Sequence, residues 1–254
     1  MVKPKKYLGQ HFLKDESISL KIAASLIKTI DYNTIIEIGP GTGALTKFLL
    51  ERQENLIALE VDDESIDYLK VNYPTLDVRK EDFLKFDFSS YSNEKIAIAG
   101  NFPYNISSQI LFKVLDEKDK VVELVGMFQK EVAQRVAEKP GTKRYGIISV
   151  FIQAYFDVEY LFSVDEHVFE PPPKVKSGVI RLTRNNTTKL SCNEQLFKSI
   201  VKATFNQRRK MIRNTVKSFV GKKIEDHPLF VKRPEQLSVE DFIVLTNFLE
   251  TLMK

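Results

Sequence analysis

The chain has 254 residues, enough for one large α/β domain with a small appendage or for two modest domains. Its 43% hydrophobic and 28% charged residues are those of an ordinary globular protein, and no apolar run approaches the roughly 18 residues of a membrane span. The basic start, MVKPKKYLGQHFL, lacks the apolar stretch of a secretory signal, and one cysteine, Cys192, allows neither an intrachain disulfide framework nor a cysteine-built metal site. A reducing, cytoplasmic location and no bound metal are therefore expected. The formal charge of +4 is unevenly spread: residues 185–254 carry 13 Lys and Arg against 7 Asp and Glu, while residues 1–184 carry 25 against 27. The basic C-terminal part implies a polyanionic partner there.

Taken in order, Asp15 can cap a helix over about 16–30, with Ile18, Ile22, Leu26 and Ile30 on one face. The β-branched run 34–38 predicts a strand, ended by Gly39-Pro40-Gly41-Thr42-Gly43 and followed by a helix over 44–51. A second strand covers 55–60, with acids at 62–64 opening the next helix. Strands over 75–79 and 95–100 follow, then a helix over 107–116, a strand over 121–128 and a helix over 129–138. Residues 146–162 suit a helix and then a strand, and 178–183 a last strand. Strands alternating with helices indicate a parallel, doubly wound sheet. The polar segment 184–188 reads as a linker, and only helical patterns follow it. The expected division is therefore 1–184, an α/β domain, and 185–254, a small all-helical domain.

The turn after the first strand has the form of a nucleotide-binding loop. Glycines allow close backbone approach, and the following helix offers free N–H groups. Glu60, 21 residues after Gly39, stands where a carboxylate can accept both ribose hydroxyl hydrogens. Gly39-x-Gly41-x-x-Ala44 also satisfies a dinucleotide fingerprint, so a nicotinamide cofactor stays open. Three features favour S-adenosylmethionine. Glu37 precedes the turn, where a carboxylate suits the cationic methionyl end. Pro40 removes an N–H that a pyrophosphate would use. Asp82-Phe83 suits adenine, with Asp82 accepting from the exocyclic amine and Phe83 packing on the ring.

The stretch Asn101-Phe102-Pro103-Tyr104 ends the fourth strand. An adenine or guanine amine is a poor nucleophile, because its lone pair is delocalised into the ring. Two acceptors holding its hydrogens would localise that pair, and the Asn101 side-chain oxygen with the Phe102 carbonyl can supply them. Pro103 stiffens the turn, and Tyr104 offers a face for a flipped base, worth roughly 1–3 kcal/mol. The reaction would be direct methyl transfer, with alignment from the protein.

These residues resemble a known family. Asn101-Phe-Pro-Tyr104 is similar to the Asn-Leu/Ile-Pro-Tyr motif of the adenine-N6 rRNA dimethyltransferases. Gly9-Gln10-His11-Phe12-Leu13 resembles their Gly-Gln-Asn-Phe-Leu signature, and Phe169-Glu-Pro-Pro-Pro-Lys-Val175 their Phe-x-Pro-x-Pro-x-Val segment. Phe205-Asn-Gln-Arg-Arg-Lys210 resembles the KsgA/RsmA branch, and the likeness runs over essentially the whole chain. It implies a Rossmann-like S-adenosylmethionine-dependent methyltransferase domain with a helical C-terminal domain. The implied reaction is dimethylation of two adjacent adenosines near the 3′ end of small-subunit rRNA. Four methyl groups would come from four cofactor molecules. A soluble monomer acting on a 30S pre-ribosomal particle, away from membranes, is expected. The family's cofactor positions carry over to His11, Leu13, Gly39, Glu60, Asp82 and Asn101; Glu37, Gly41 and Phe83 join them from the reading above. His11 stands where the family has Asn; both side chains can hydrogen-bond a carboxylate or carbonyl. Phe169 would form the second wall of the base pocket, opposite Tyr104. His167 and His227 show no ligand spacing and read as surface or packing residues.

No acidic residue lies between Gln195 and Ile224, where Lys202, Arg208, Arg209, Lys210, Arg213 and Lys217 are concentrated. On one helix, Arg209, Arg213 and Lys217 would be successive i,i+4 neighbours, a face for phosphates. Three other readings compete: a large-subunit rRNA resistance methyltransferase, an RNA-binding assembly factor without catalysis, and a nicotinamide dehydrogenase.

Overall fold

The computed structural model describes residues 2–91, 94–221 and 226–253. By its contacts the chain forms two compact units, Met1–Gln134 with Asp157–Arg184, and Arg135–Phe156 with Asn185–Lys254.

The first unit opens with β1 (Phe12–Leu13) and α1 (Glu16–Ala24). Its sheet uses β2 (Thr34–Ile38), β3 (Asn55–Glu60), β4 (Asp77–Lys80), β5 (Ile96–Asn101) and β6 (Val121–Gln129). The intervening helices are α2 (Thr46–Leu49), α3 (Asp63–Asn72) and α4 (Ser107–Asp116). After α5 (Lys130–Ala137) and α6 (Ile147–Gln153) come β7 (Phe156–Val164), β8 (Phe169–Glu170) and β9 (Ser177–Arg184). The sheet order is β4-β3-β2-β5-β6-β9-β7, and β1 pairs separately with β8. Every residue of β2 is buried, as expected for a central strand covered on both faces.

The strands from β4 to β6 are parallel, but β9 runs antiparallel to β6, so the expected wholly parallel sheet is corrected to a mixed one. β9 is joined to its other sheet neighbour, β7, by residues 165–176, which contain no α-helix. Parallel neighbours need a helical crossover of the kind that joins the earlier strands.

Two helices are shorter than expected. α1 stops at Ala24 rather than about residue 30. The buried carboxylate of Glu123, on β6, accepts the N–H groups of Ile27 (3.0 Å) and Lys28 (3.1 Å) and the hydroxyl of Tyr32 (2.9 Å). Those backbone donors thus bond away from the helix axis, and Lys28 adopts φ 51°. α2 begins at Thr46 rather than residue 44. The preceding turn closes instead through the Gly43 N–H to the Pro40 carbonyl, 2.9 Å.

In the second unit, α7 (Glu194–Asn206) and α8 (Ile212–Val220) precede α9 (Val239–Met253). Residues 135–156, placed by sequence with the α/β part, group with these helices. Tyr145 packs against Phe205 and Phe151 against Phe197 in tilted pairs, with ring centroids 6.3 Å apart in each. The apolar run of α6 is legible as core, but not as the core of this unit. His227 packs on Phe248, 4.5 Å between centroids, a packing histidine as expected.

Candidate active site

Four parallel strands deliver their C-terminal ends to one cavity of about 240 Å³ in the first unit. β2 is the switch point: β3 and β4 lie to one side of it, β5 and β6 to the other. Ligands bind in the crevice at such a point. β2 brings Glu37 and the glycine turn, β3 brings Glu60, the residues after β4 bring Asp82 and Phe83, and β5 brings Asn101. His11, Leu13 and Phe102 to Tyr104 also line it.

Glu37 is 1% exposed, and its neighbours in register are Ala58 and Ala99, whose small side chains leave the carboxyl room. The Thr46 hydroxyl donates to it at 2.7 Å. Burial pushes the Glu37 carboxyl up to about 8, against the Thr46 hydrogen bond and with a further push from the Glu60 charge. Glu60 is also buried, and burial raises its carboxyl above the ordinary range despite three backbone donors: Asp62 (3.0 Å), Gly41 (3.1 Å) and Val61 (2.8 Å). These amides pin Glu60 beside the glycine turn.

Gly39 and Gly41 take left-handed conformations, φ 64° and 57°, which side chains other than glycine's strain to adopt. A Cβ at Gly41 would come within 2.8 Å of the Phe12 ring, whereas one at Gly39 would project into open space. The turn is thus roofed by Phe12 at one glycine and open at the other, a cradle that fits a ligand backed by peptide groups. Asp82 is held by the Leu84 N–H at 2.9 Å, beside the buried Phe83 ring.

The N-terminal segment closes another side. Lys5 pairs with the buried carboxylate of Asp62 and, at 3.2 Å, with Glu64, while the Gln10 amide reaches Asp62 at 3.4 Å. Sequence reasoning missed Asp62 and Gln10 as a clasp; the sole signal was an acid two residues after Glu60.

At the end of β5, the Asn101 amide nitrogen donates to the His11 carbonyl at 2.9 Å, which leaves the side-chain oxygen available as an acceptor. The Tyr104 hydroxyl bonds the buried Ser177 hydroxyl at 2.5 Å, and burial raises its phenol above the ordinary value. Phe102 is 1% exposed and lies across two glycines paired in register, Gly100 on β5 and Gly126 on β6. A Cβ on Gly126 would be 2.0 Å from its ring, and one on Gly100 2.6 Å. The two glycines thus make the room that this buried ring fills.

Phe169 requires a correction. It is 1% exposed within the hydrophobic core, paired through β8 with Leu13, and does not line the cavity. A ring followed by prolines is visible in sequence, but the two-residue ladder that turns it inward is not. The ring that faces Tyr104 belongs to His11, at 5.7 Å between centroids and 26° between planes.

The basic residues are also redistributed. α7 ends at Asn206, so Arg208, Arg209 and Lys210 lie in a turn and only Arg213 and Lys217 share a helix. Arg208 bonds the Thr142 carbonyl at 3.0 Å and faces Glu235 at 3.7 Å, both within its own unit. Arg213 pairs with Asp226 at 2.6 Å, an acid just past the acid-free stretch. Lys202, Arg209, Lys210 and Lys217 are exposed.

Among the described residues, no group of three or more His, Cys, Asp or Glu is placed to hold a metal, and no helix is long and apolar enough to cross a membrane.

Comparison with known proteins gives this cavity its context. The model of the family "Ribosomal RNA adenine dimethylase" matches residues 1–250. The chain belongs to that family. Its chemistry as a ribosomal RNA adenine dimethylase is methyl transfer to adenine, with S-adenosylmethionine as the donor. The chain is 56% identical to the Ribosomal RNA small subunit methyltransferase A of Parabacteroides distasonis, over 97% of this chain and 94% of that one. It is 53% identical to the protein of the same name from Phocaeicola vulgatus, over 100% and 92%. A dimethyladenosine transferase from Plasmodium falciparum shares the fold with a TM-score of 0.81 at 24% identity, over 95% of this chain and 98% of that one. The 23S rRNA methyltransferase ErmE also shares it, with a TM-score of 0.69 at 24% identity, over 92% and 99%.

Proposed function

We propose that this dimethylase modifies the N6 amines of two adjacent adenosines near the 3′ end of small-subunit rRNA, on a 30S pre-ribosomal particle, as a cytoplasmic monomer. The observation that supports the reading best is the convergence of Glu37, Glu60, Asp82 and Asn101, each from the end of a different parallel strand, on one cavity.

In this reading Glu60 accepts from the ribose hydroxyls, Asp82 from the adenine amine of the cofactor, and Phe83 packs on that ring. Gly39 and Gly41 bring the backbone close, His11 and Leu13 cover the methionyl side, and Glu37 faces its positive end. Bound there, S-adenosylmethionine supplies a methyl group on a sulfonium, the electrophile of the reaction. The protein's task is to present the target amine. Asn101, its NH₂ already committed to His11, accepts one amine hydrogen through its oxygen, and the Phe102 carbonyl accepts the other. The nitrogen lone pair is then localised and aimed. Pro103 braces that turn, Tyr104 gives the base a stacking face, and the hydroxyl of Ser177 keeps Tyr104 from rotating. Lys202, Arg209, Lys210 and Lys217 contact phosphates from the second unit, while Arg208 and Arg213 act there mainly as structural links.

The test is in vitro methylation of 30S particles from an unmethylated strain, followed by mapping of both rRNAs. Dimethyladenosine at two neighbouring small-subunit positions is expected; label confined to the large subunit would overturn the reading. Asn101→Ala should abolish turnover while leaving RNA binding intact.

A further inference from the structure

We propose that His11 is a positioning residue for the target adenine, setting both Asn101 and Tyr104; the proposal rests on the dimethylase reading above. Three contacts, from three different atoms or groups of this one residue, converge on the base-handling side of the site. Its main-chain carbonyl accepts from the Asn101 amide at 2.9 Å. Its ring lies on the Tyr104 ring at 5.7 Å and 26°. Its Nδ1 meets the Pro171 carbonyl at 2.7 Å, and because a carbonyl can only accept, Nδ1 carries the hydrogen.

Each contact has a consequence for the amine. An Asn side chain has two ends of similar shape, and only the oxygen end can hold an N–H. By accepting from the nitrogen end, the His11 carbonyl selects the productive orientation of Asn101. Tyr104 is fixed at its hydroxyl by Ser177 and on its ring by His11, so the stacking face is held at two points. His11 is itself fixed. The residues after it, Phe12 and Leu13, are tied in register to Glu170 and Phe169, and its side chain is tied to Pro171. The motif at 101–104 and the segment at 169–171 are therefore joined through one histidine.

This role differs from holding the cofactor, and dimethylation separates the two. After the first transfer the amine keeps one hydrogen, so only one acceptor can grip it. Side-chain variants of His11 keep the carbonyl but cut the ties to Pro171 and Tyr104 that hold it in place, so the grip on Asn101 loosens. That should penalise the second transfer more than the first, and monomethyladenosine should accumulate. A defect in cofactor affinity alone would not change that ratio at saturating cofactor.

Full-length H11A, H11F and H11N would be compared with the parent protein on unmethylated 30S particles at saturating S-adenosylmethionine. Products would be resolved into mono- and dimethyladenosine, cofactor Kd measured by calorimetry, and folding checked by thermal unfolding. H11A should lower kcat on the order of tenfold to a hundredfold, the range for a misplaced reacting group. It should raise the monomethyl share; any accompanying loss of cofactor affinity, since His11 also covers the methionyl side, is removed by saturation. H11F, which keeps a ring against Tyr104, and H11N, which keeps a donor for Pro171, should fall between and decide the matter if H11A does not fold. A tenfold weaker cofactor Kd with kcat and product ratio unchanged would overturn the proposal, as would no change at all. Failure of the parent protein to label small-subunit adenosines would instead overturn the functional reading, and the proposal with it.

Discussion

Glu37, a single buried carboxyl, makes the proposed cofactor contact testable through pH. Its carboxyl is held at about 8 against an ordinary value of 4.5, so the folded chain binds that proton more tightly than the unfolded one. Folding stability from this group is fully present below pH 4.5 and is lost as the pH rises towards 8. A cation bound beside it reverses the preference and expels the proton. S-adenosylmethionine affinity should therefore rise between pH 6 and 8, by at most about tenfold per pH unit. Calorimetry across that range, repeated in buffers of different ionisation enthalpy, should show proton release on binding. Glu37→Gln should flatten the pH profile; an unchanged slope would remove Glu37 from the cofactor's positive end. Gly41 offers a steric test. Gly41→Ala forces a Cβ to 2.8 Å from Phe12 at a left-handed φ, costing about 1–2 kcal/mol. A Tm lowered by several degrees, with a cofactor Kd at least tenfold weaker, is the expected outcome.

The elements differ in how far the sequence disclosed them. β2 and β5 were legible because both are short, apolar and bounded by a turn at the end that matters. The end of α1 was not, because the group that stops it, Glu123, lies 96 residues beyond Ile27 in the chain. Glu123→Ala should leave two backbone donors and the Tyr32 hydroxyl without their acceptor, at roughly 1–3 kcal/mol for each group left unsatisfied. Urea denaturation should register that loss, and a midpoint within error of the parent would refute the capping role. In the site, Glu37, Glu60, Asp82 and Asn101 were readable because strand ends in a doubly wound sheet share one edge. Phe169 was misread, since whether an aromatic faces a cavity or the core is set by its pairing with Leu13, not by the prolines that follow it. The stacking of the His11 ring on Tyr104 was not legible for the converse reason: nothing local announces it.

Across the whole molecule, charge separates from chemistry. The strand ends that form the cavity belong to the first unit, and the basic excess to the second. Replacing Lys202, Arg209, Lys210 and Lys217 together by Ala should leave cofactor affinity unchanged. It should reduce the dependence of log K for RNA on log salt by about 3, the change for four lost phosphate contacts at ~0.7 each. Filter binding from 50 to 300 mM salt would measure this, and an unaltered slope would move the RNA contact elsewhere. The ring of Phe102 over Gly100 and Gly126 carries a different kind of consequence, one of inheritance. The three positions are locked into an order of change: a methyl at 126 collides with the ring while Phe102 remains, and shrinking the ring first opens a void that a methyl can then fill. Gly126→Ala alone should be far more damaging than Gly126→Ala made in a Phe102→Leu background. In a lineage carrying this aromatic motif, a glycine one strand away is the residue that cannot drift first.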